Sequence, residues 1–429
     1  MNPLLRPLRE LGRRIAYRLA STMFHQPELL RLAAALLRRW PALNCRVPVV
    51  ASRSAVAAVL GRPMDFSNIA HAGNLIAGSF LIGMEISPAE KSDRHFLRSI
   101  LPSPADISAS SAAESKRSIE RLSALGRGTF NLIDDYMVWI VWRALGGAYG
   151  AAADAISSGA SGEPATAKAS HDFFLELRYL GAHLMTGSIA PEAVQRRAEE
   201  KAVALNRRID VALGAIKQAW PADDSVAIRR NALGLLWVAH PAVVQAGALV
   251  IQELLSRPEV HAALSKEAQA LGEAAWTDRA FGQKLVAHIL ELLRFRPVFP
   301  ILPRAAPRDT VFEPGGACRA HIKAGHNVTV TAIGAMFDPQ AVKRPAEYHP
   351  EYPSPDPLAS RFAFPDDQFL LFGLGERACI AKHLVPEILA SALAGLLQLP
   401  DLRWARRWSG RICYDGPIIV ELPLAFGKR

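Results

Sequence analysis

Phe372-Gly373-Leu374-Gly375-Glu376-Arg377-Ala378-Cys379-Ile380-Ala381 is the stretch on which the reading of this chain turns. It sets one cysteine between a glycine-rich turn and an apolar run, Ile380 to Leu397, that reads as a helix. The glycines let the backbone bend closely around a bulky ligand. A helix N-terminus, with its free N–H groups and positive dipole end, stabilises negative charge on sulfur. Arg377, two residues earlier, is placed to meet an anionic group on the same ligand. A structural cysteine after a turn is the alternative reading of these residues.

A metal held by one cysteine, with no His or Cys nearby in sequence, is not a zinc site, which needs about four ligands. Heme iron fits, because the ring supplies the other ligands and one Cys thiolate can hold the iron. The stretch resembles the heme-binding loop of the cytochrome P450 family, whose pattern is Phe, two residues, Gly, one residue, Arg or His, one residue, Cys, one residue, Gly. Phe372, Gly375, Arg377 and Cys379 fit it, and Ala381 stands where Gly is usual. The resemblance implies a mainly α fold with small β-sheets, as one domain over residues 1–429. It also implies heme b with Cys379 as axial ligand, and oxidation of a hydrophobic small molecule such as a terpenoid, polyketide, fatty acid or modified peptide. An external ferredoxin and reductase, or hydrogen peroxide, would drive turnover.

Further residues extend the resemblance. Glu291 and Arg294 lie three apart, on one helix face, 88 residues before the cysteine. In the family such a pair is buried and joined by a second arginine, for which Arg361 is the candidate. Heme propionates need cations when buried, and Arg94, Arg98, Arg304 and Arg377 lie where the family supplies them. The family's substrate-lining elements map to Leu75 and Phe80, to Trp237, and to Phe299 and Ile301. These are apolar side chains that suit a hydrophobic ligand and suit an ordinary core equally well.

One element departs from the pattern. Where monooxygenase members carry an acid and a threonine for proton delivery, this chain reads Val238-Ala239-His240-Pro241-Ala242, with Pro241 for the acid and Ala242 for the threonine. No threonine lies between Arg229 and Trp276, so a shifted alignment does not restore one. Pro241 removes a backbone donor and is expected to kink the helix. Two readings of His240 follow: a distal acid/base that titrates near neutral pH, or a satisfied core histidine. The departure resembles members that use peroxide directly as peroxygenases, or that isomerise or cleave hydroperoxides. A heme-binding protein without turnover, acting as a sensor or recruiting partner, is a third class.

The 429 residues are 50% hydrophobic, enough for a large core, and carry a net charge of +10. Residues 1–46 hold nine arginines against Glu10 and Glu28, a balance of +7. Leu4, Leu8, Leu11, Ile15 and Leu19 recur at helical spacing, so residues 1–24 read as a basic amphipathic extension. Its apolar side either packs on the body or meets an anionic membrane or an acidic redox partner. No aromatic-basic groove pattern accompanies the charge, so nucleic acid is not an expected partner. The four cysteines are scattered, which does not fit a disulfide framework. No spanning apolar run and no signal peptide are read, and a cytoplasmic location is the expectation. Valines near Pro48 predict an edge strand over 46–52, Pro102–Ala113 reads as a loop, and Ser157–Ala167 reads as a mobile connection. Phe130–Leu145 and Arg230–Leu255 read as apolar helices, and Asp415-Gly416-Pro417-Ile418 as a hairpin.

Overall fold

The computed structural model describes residues 6–39, 49–68, 75–126, 128–158, 167–220, 224–312, 319–350, 370–406 and 412–427. Helices dominate. In chain order they begin with α1 (Arg6–His25), α2 (Pro27–Arg39), strand β1 (Val49–Val50), α3 (Arg53–Leu60), α4 (Pro88–Ile100), α5 (Pro104–Ser123), β2 (Gly128–Asn131) and α6 (Val138–Gly146). Then come α7 (Ala152–Ser158), α8 (Ala167–Thr186), α9 (Glu192–Ala219), α10 (Ser225–Gly234), α11 (His240–Leu255), α12 (Pro258–Leu271) and α13 (Arg279–Phe295). The last part holds β3 (Leu302–Ala305), β4 (Thr310–Phe312), β5 (Ala320–Ile322), β6 (Asn327–Val330), α14 (Ala332–Met336), α15 (Val385–Leu396), β7 (Arg403–Trp404), β8 (Cys413–Asp415), β9 (Ile418–Glu421) and β10 (Pro423–Phe426).

The main core gathers α5, α6, α11, α13 and α15. Helix α15 is apolar all round and buries every residue except Glu387, as a helix enclosed by others must. A second core lies under a three-stranded sheet in the order β1-β6-β3, with Leu30, Val56, Val59 and Ile333 packed beneath it. β1 pairs only with β6, in parallel, and is the edge strand that Pro48 predicts. β2-β10-β7 forms an antiparallel sheet, β4 pairs with β5, and β8-β9 is the expected hairpin.

Three segments differ from the sequence reading. Most of the stretch read as a loop, Pro102–Ala113, is the start of α5. Ser103 caps it by accepting from the Asp106 N–H at 3.2 Å, with Pro104 in the first turn, so the Ser and Pro taken as loop residues are a helix start. The apolar run 130–145 divides into β2, a π-helical turn over Ile133–Met137, and α6. The helix after Cys379 begins only at Val385, beyond a turn. Residues 159–166, most of the predicted connection Ser157–Ala167, lie outside the described residues.

Helices α10 and α11 run on through a π-helical turn, Leu235–Ala239. The whole, Ser225–Leu255, is long and apolar enough to cross a membrane, contrary to the sequence reading. Yet 78% of its apolar window is buried inside the protein, which makes it a core helix. The π turn falls where Pro241 lacks an N–H to bond the preceding turn, so the expected break takes the form of a local widening.

Candidate functional site

The cysteine loop is built by two tight turns. Leu370–Phe372 and Gly375–Arg377 are short 3-10 turns. Gly373 and Gly375 take φ of +74° and +63°, where a side chain would be strained. The Cys379 N–H donates to the Phe372 carbonyl at 2.7 Å, which closes the loop. Cys379 is exposed, yet burial raises its thiol pKa. The Ala381 N–H bonded to the sulfur and the charge of Arg94 act in the opposite direction. The stabilisation expected above from a helix N-terminus comes instead from one turn N–H and an arginine, and burial outweighs both.

Three arginines converge beside this loop. Arg94, on α4, donates to the Ala378 carbonyl at 3.0 Å and to Glu90 at 2.8 and 3.1 Å. Arg377 donates to the Met84 carbonyl at 2.6 Å and lies 3.8 Å from the same Glu90 oxygen. Its Nε and Nη2 are buried without a partner. Arg304, on β3, is buried, and its pKa falls to about 10, first by burial and then by the nearby charge of Arg377. Arg98, expected in this group, is exposed on α4 instead. The helix turns Arg94 and the buried Glu90 toward the loop. Glu90 was not singled out in the sequence. Its i, i+4 spacing to Arg94 could have marked an ion pair, but not the approach of both to residue 378.

This arrangement fits heme. Three buried or half-buried arginines against one buried acid leave two positive charges unmatched, which suits two propionates. Glu85 and Glu376, which Arg377 also feels, are both exposed. The two orphaned nitrogens of Arg377 are donors without an acceptor. Among the described residues no group of three His, Cys, Asp or Glu could hold a metal. A single cysteine without such neighbours suits heme, whose ring supplies the other ligands.

The Glu291–Arg294 pair is bidentate, at 2.8 and 2.9 Å, and both side chains are buried. Arg294 also donates to the Pro345 carbonyl at 2.8 Å, and Glu291 accepts from the His349 N–H at 2.8 Å. Arg361 lies outside the described residues. The pair therefore ties α13 to the segment that follows α14.

Helix α11 opens with His240 in the core, where its Nδ1 has no partner. His240 is buried, its Nε2 lies 3.2 Å from the Val138 carbonyl, and its ring packs at 5.2 Å from Phe174. Burial lowers its pKa to about 4. Two residues along a helix is about half a turn, so His240 points away from the side that carries half-buried Ala242. Pro241 packs near Gly181 of α8. Trp237 is fully buried rather than lining an opening, and its indole N–H has no partner. Leu75, Phe299 and Ile301 are half-buried, while buried Phe80 lies directly against Gly234.

Comparison with known proteins bears on the fold. A family model described as Cytochrome P450 matches residues 227–399. Ent-cassadiene C11-alpha-hydroxylase 1 of Oryza sativa subsp. japonica is 34% identical over 179 residues, 38% of this chain and 35% of that protein. Steroid 17-alpha-hydroxylase/17,20 lyase of Cavia porcellus is 32% identical over 158 residues, 36% of this chain and 30% of that protein. The chain thus spans about a third of the length of the curated relatives it matches. The solved structure of a mutant of P450 EryK in complex with erythromycin B superposes with a TM-score of 0.68 at 17% identity, covering 95% of this chain and 98% of that one. The chain has the cytochrome P450 fold. It is a relative of known cytochromes P450 through its C-terminal half.

Proposed function

We propose that this chain is a heme-thiolate oxidoreductase acting on a hydrophobic small molecule, with monooxygenation as its reaction type. The observation that carries the reading is the convergence of Arg94, Arg304 and Arg377, with one buried acid, beside the accessible Cys379. Bound heme would supply the oxidising chemistry. Cys379 would hold the iron, with its thiolate steadied by the Ala381 N–H and Arg94. Arg94, Arg304 and Arg377 would fix the propionates. Half-buried Leu75, Ala242, Phe299 and Ile301 would give the substrate an apolar contact surface. No redox cofactor besides heme is proposed for the chain, so electrons would come from a ferredoxin and reductase.

Peroxide use is a second reading, favoured by Pro241 and Ala242 where a proton-delivering acid and threonine are usual. His240 does not face the side of Ala242, so an ordered water or a substrate hydroxyl would carry protons in either case. We place the protein in the cytoplasm, in secondary metabolism. The test is to load the purified chain with heme, reduce it and add carbon monoxide. The expected result is the red-shifted Soret band of thiolate ligation, lost in Cys379→Ser. A wild-type band typical of histidine ligation would overturn the assignment. Parallel incubations of hydrophobic substrates with hydrogen peroxide or with a ferredoxin system then separate the two readings.

A further inference from the structure

The amphipathic helix α1 packs with the side that sequence periodicity does not favour. Tyr17 and Ser21 are buried. The Tyr17 hydroxyl lies against Gly416, and His25 stacks on Tyr414 at 3.6 Å while its Nε2 meets the Gly416 carbonyl at 2.6 Å. These contacts fasten α1 to the β8-β9 hairpin. They leave the apolar stripe Leu11, Ile15 and Leu19 outside, each more than half exposed. Helix α2 follows after the single residue Gln26 and does the same with Leu29, Leu32 and Leu36, which are 44–60% exposed. Twelve large apolar side chains are exposed among the described residues, and these two helices hold six of them. Scattered exposed leucines are ordinary, but six in two joined helices are not.

The charges beside the stripe identify what covers it. Arg14, Arg18 and Arg39 are exposed. On α1, Arg14 and Arg18 flank the Leu11–Ile15–Leu19 line one step round the helix. Among the described exposed residues of the two helices Glu28 is the only acid, while half-buried Glu10 pairs with Arg14 at 3.3 Å and leaves Arg18 and Arg39 unmatched on these helices. An apolar stripe bordered by arginines matches a bilayer surface, where acyl chains take the leucines and anionic headgroups take the guanidiniums. A second copy of this chain would bring the same positive charge and repel. We infer that α1 and α2 form a docking face for an anionic lipid surface. The face sits on the helix that holds the β8-β9 hairpin, and Gln245 of α11 holds the same hairpin from within, through the Ile419 carbonyl at 2.8 Å.

Co-sedimentation of the full chain with vesicles tests this without any turnover. At 0.1 M salt, partition into mixed phosphatidylglycerol–phosphatidylcholine vesicles should exceed partition into pure phosphatidylcholine at least tenfold. Most of it should be lost at 0.5 M salt, where screening is stronger. The triple variant Leu11→Ser, Ile15→Ser, Leu19→Ser and the double variant Arg14→Gln, Arg18→Gln should each lose it about tenfold, with helical circular dichroism unchanged. Equal binding to both vesicle types, or binding unchanged in both variants, overturns the inference. So does concentration-dependent dimerisation abolished by the triple variant, which assigns the face to a second copy. Retention on immobilised polyglutamate without vesicle binding also overturns it, in favour of an acidic protein. None of these results bears on heme ligation, so the oxidoreductase reading stands or falls separately.

Discussion

Glu90 is the side chain through which the cysteine loop and α4 speak to each other. It accepts from Arg94 and lies beside Arg377, so it holds two like charges at close quarters and lowers their mutual cost. Glu90→Gln keeps an acceptor for Arg94 and removes the negative charge. The heme-loaded variant should keep its cofactor and show a more positive midpoint potential by spectroelectrochemistry. An unchanged potential would mean that this charge is not felt at the iron. His240 leads to a different expectation. It is held neutral, with its pKa lowered from 6.5 to about 4 by burial. Between those values the unfolded chain takes up a proton that the folded one refuses, so stability is complete above about pH 6.5 and declines as pH falls toward 4. The decline is on the order of 3 kcal/mol for this one group. His240→Gln, measured by denaturant titration from pH 4 to 7, should flatten that slope. Turnover in this variant should stay within about twofold of wild type, whereas removing a general acid costs roughly 10²–10⁴-fold.

Helix α5 shows how an element can be misread from correct local cues. Ser103, Pro104 and Asp106 are turn-forming residues and also a helix start. Only the amphipathic continuation to Ser123, with Ile107, Ser111, Ser115 and Ile119 buried, settles the matter. Ser103→Ala should cost about 1 kcal/mol in chemical denaturation, the usual value of a lost cap. The cysteine loop, the Glu291–Arg294 spacing, the β8-β9 hairpin and the edge position of β1 were legible, because each is set by residues adjacent in sequence or by backbone restrictions. The outward turn of Arg98 and the inward turn of Glu90 were not, and neither was the choice between the two readings of His240, since each depends on where a second element lies. The same holds for α1, whose buried side is chosen by Tyr17 and His25 against a hairpin far along the chain. Gly234 is another such case. A Cβ there would collide with the Phe80 ring, so Gly234→Ala should displace Phe80 and change the affinity for hydrophobic ligands, read by spectral titration, with little loss of heme.

Across the molecule, the two cores are joined through α13, which carries Leu285, Ile289 and Leu292 into the first and Phe295 into the second. The Glu291–Arg294 pair sits at that junction. Glu291→Ala leaves Arg294 charged, buried and without its carboxylate, at a cost of about 3–5 kcal/mol. The expected result is lost heme and a lowered midpoint of unfolding together, rather than a selective loss of turnover. The contact between His25 and Gly416 has a consequence in time as well as in space. Its partners are 391 residues apart, and a ribosome adding roughly 5–20 residues per second needs on the order of half a minute to pass from one to the other. During that interval α1 has no hairpin to hold, and Tyr17 and the leucine stripe are both uncovered. The nascent chain therefore offers a basic, greasy first helix to whatever surface is near, long before its last strands arrive to give that helix a place.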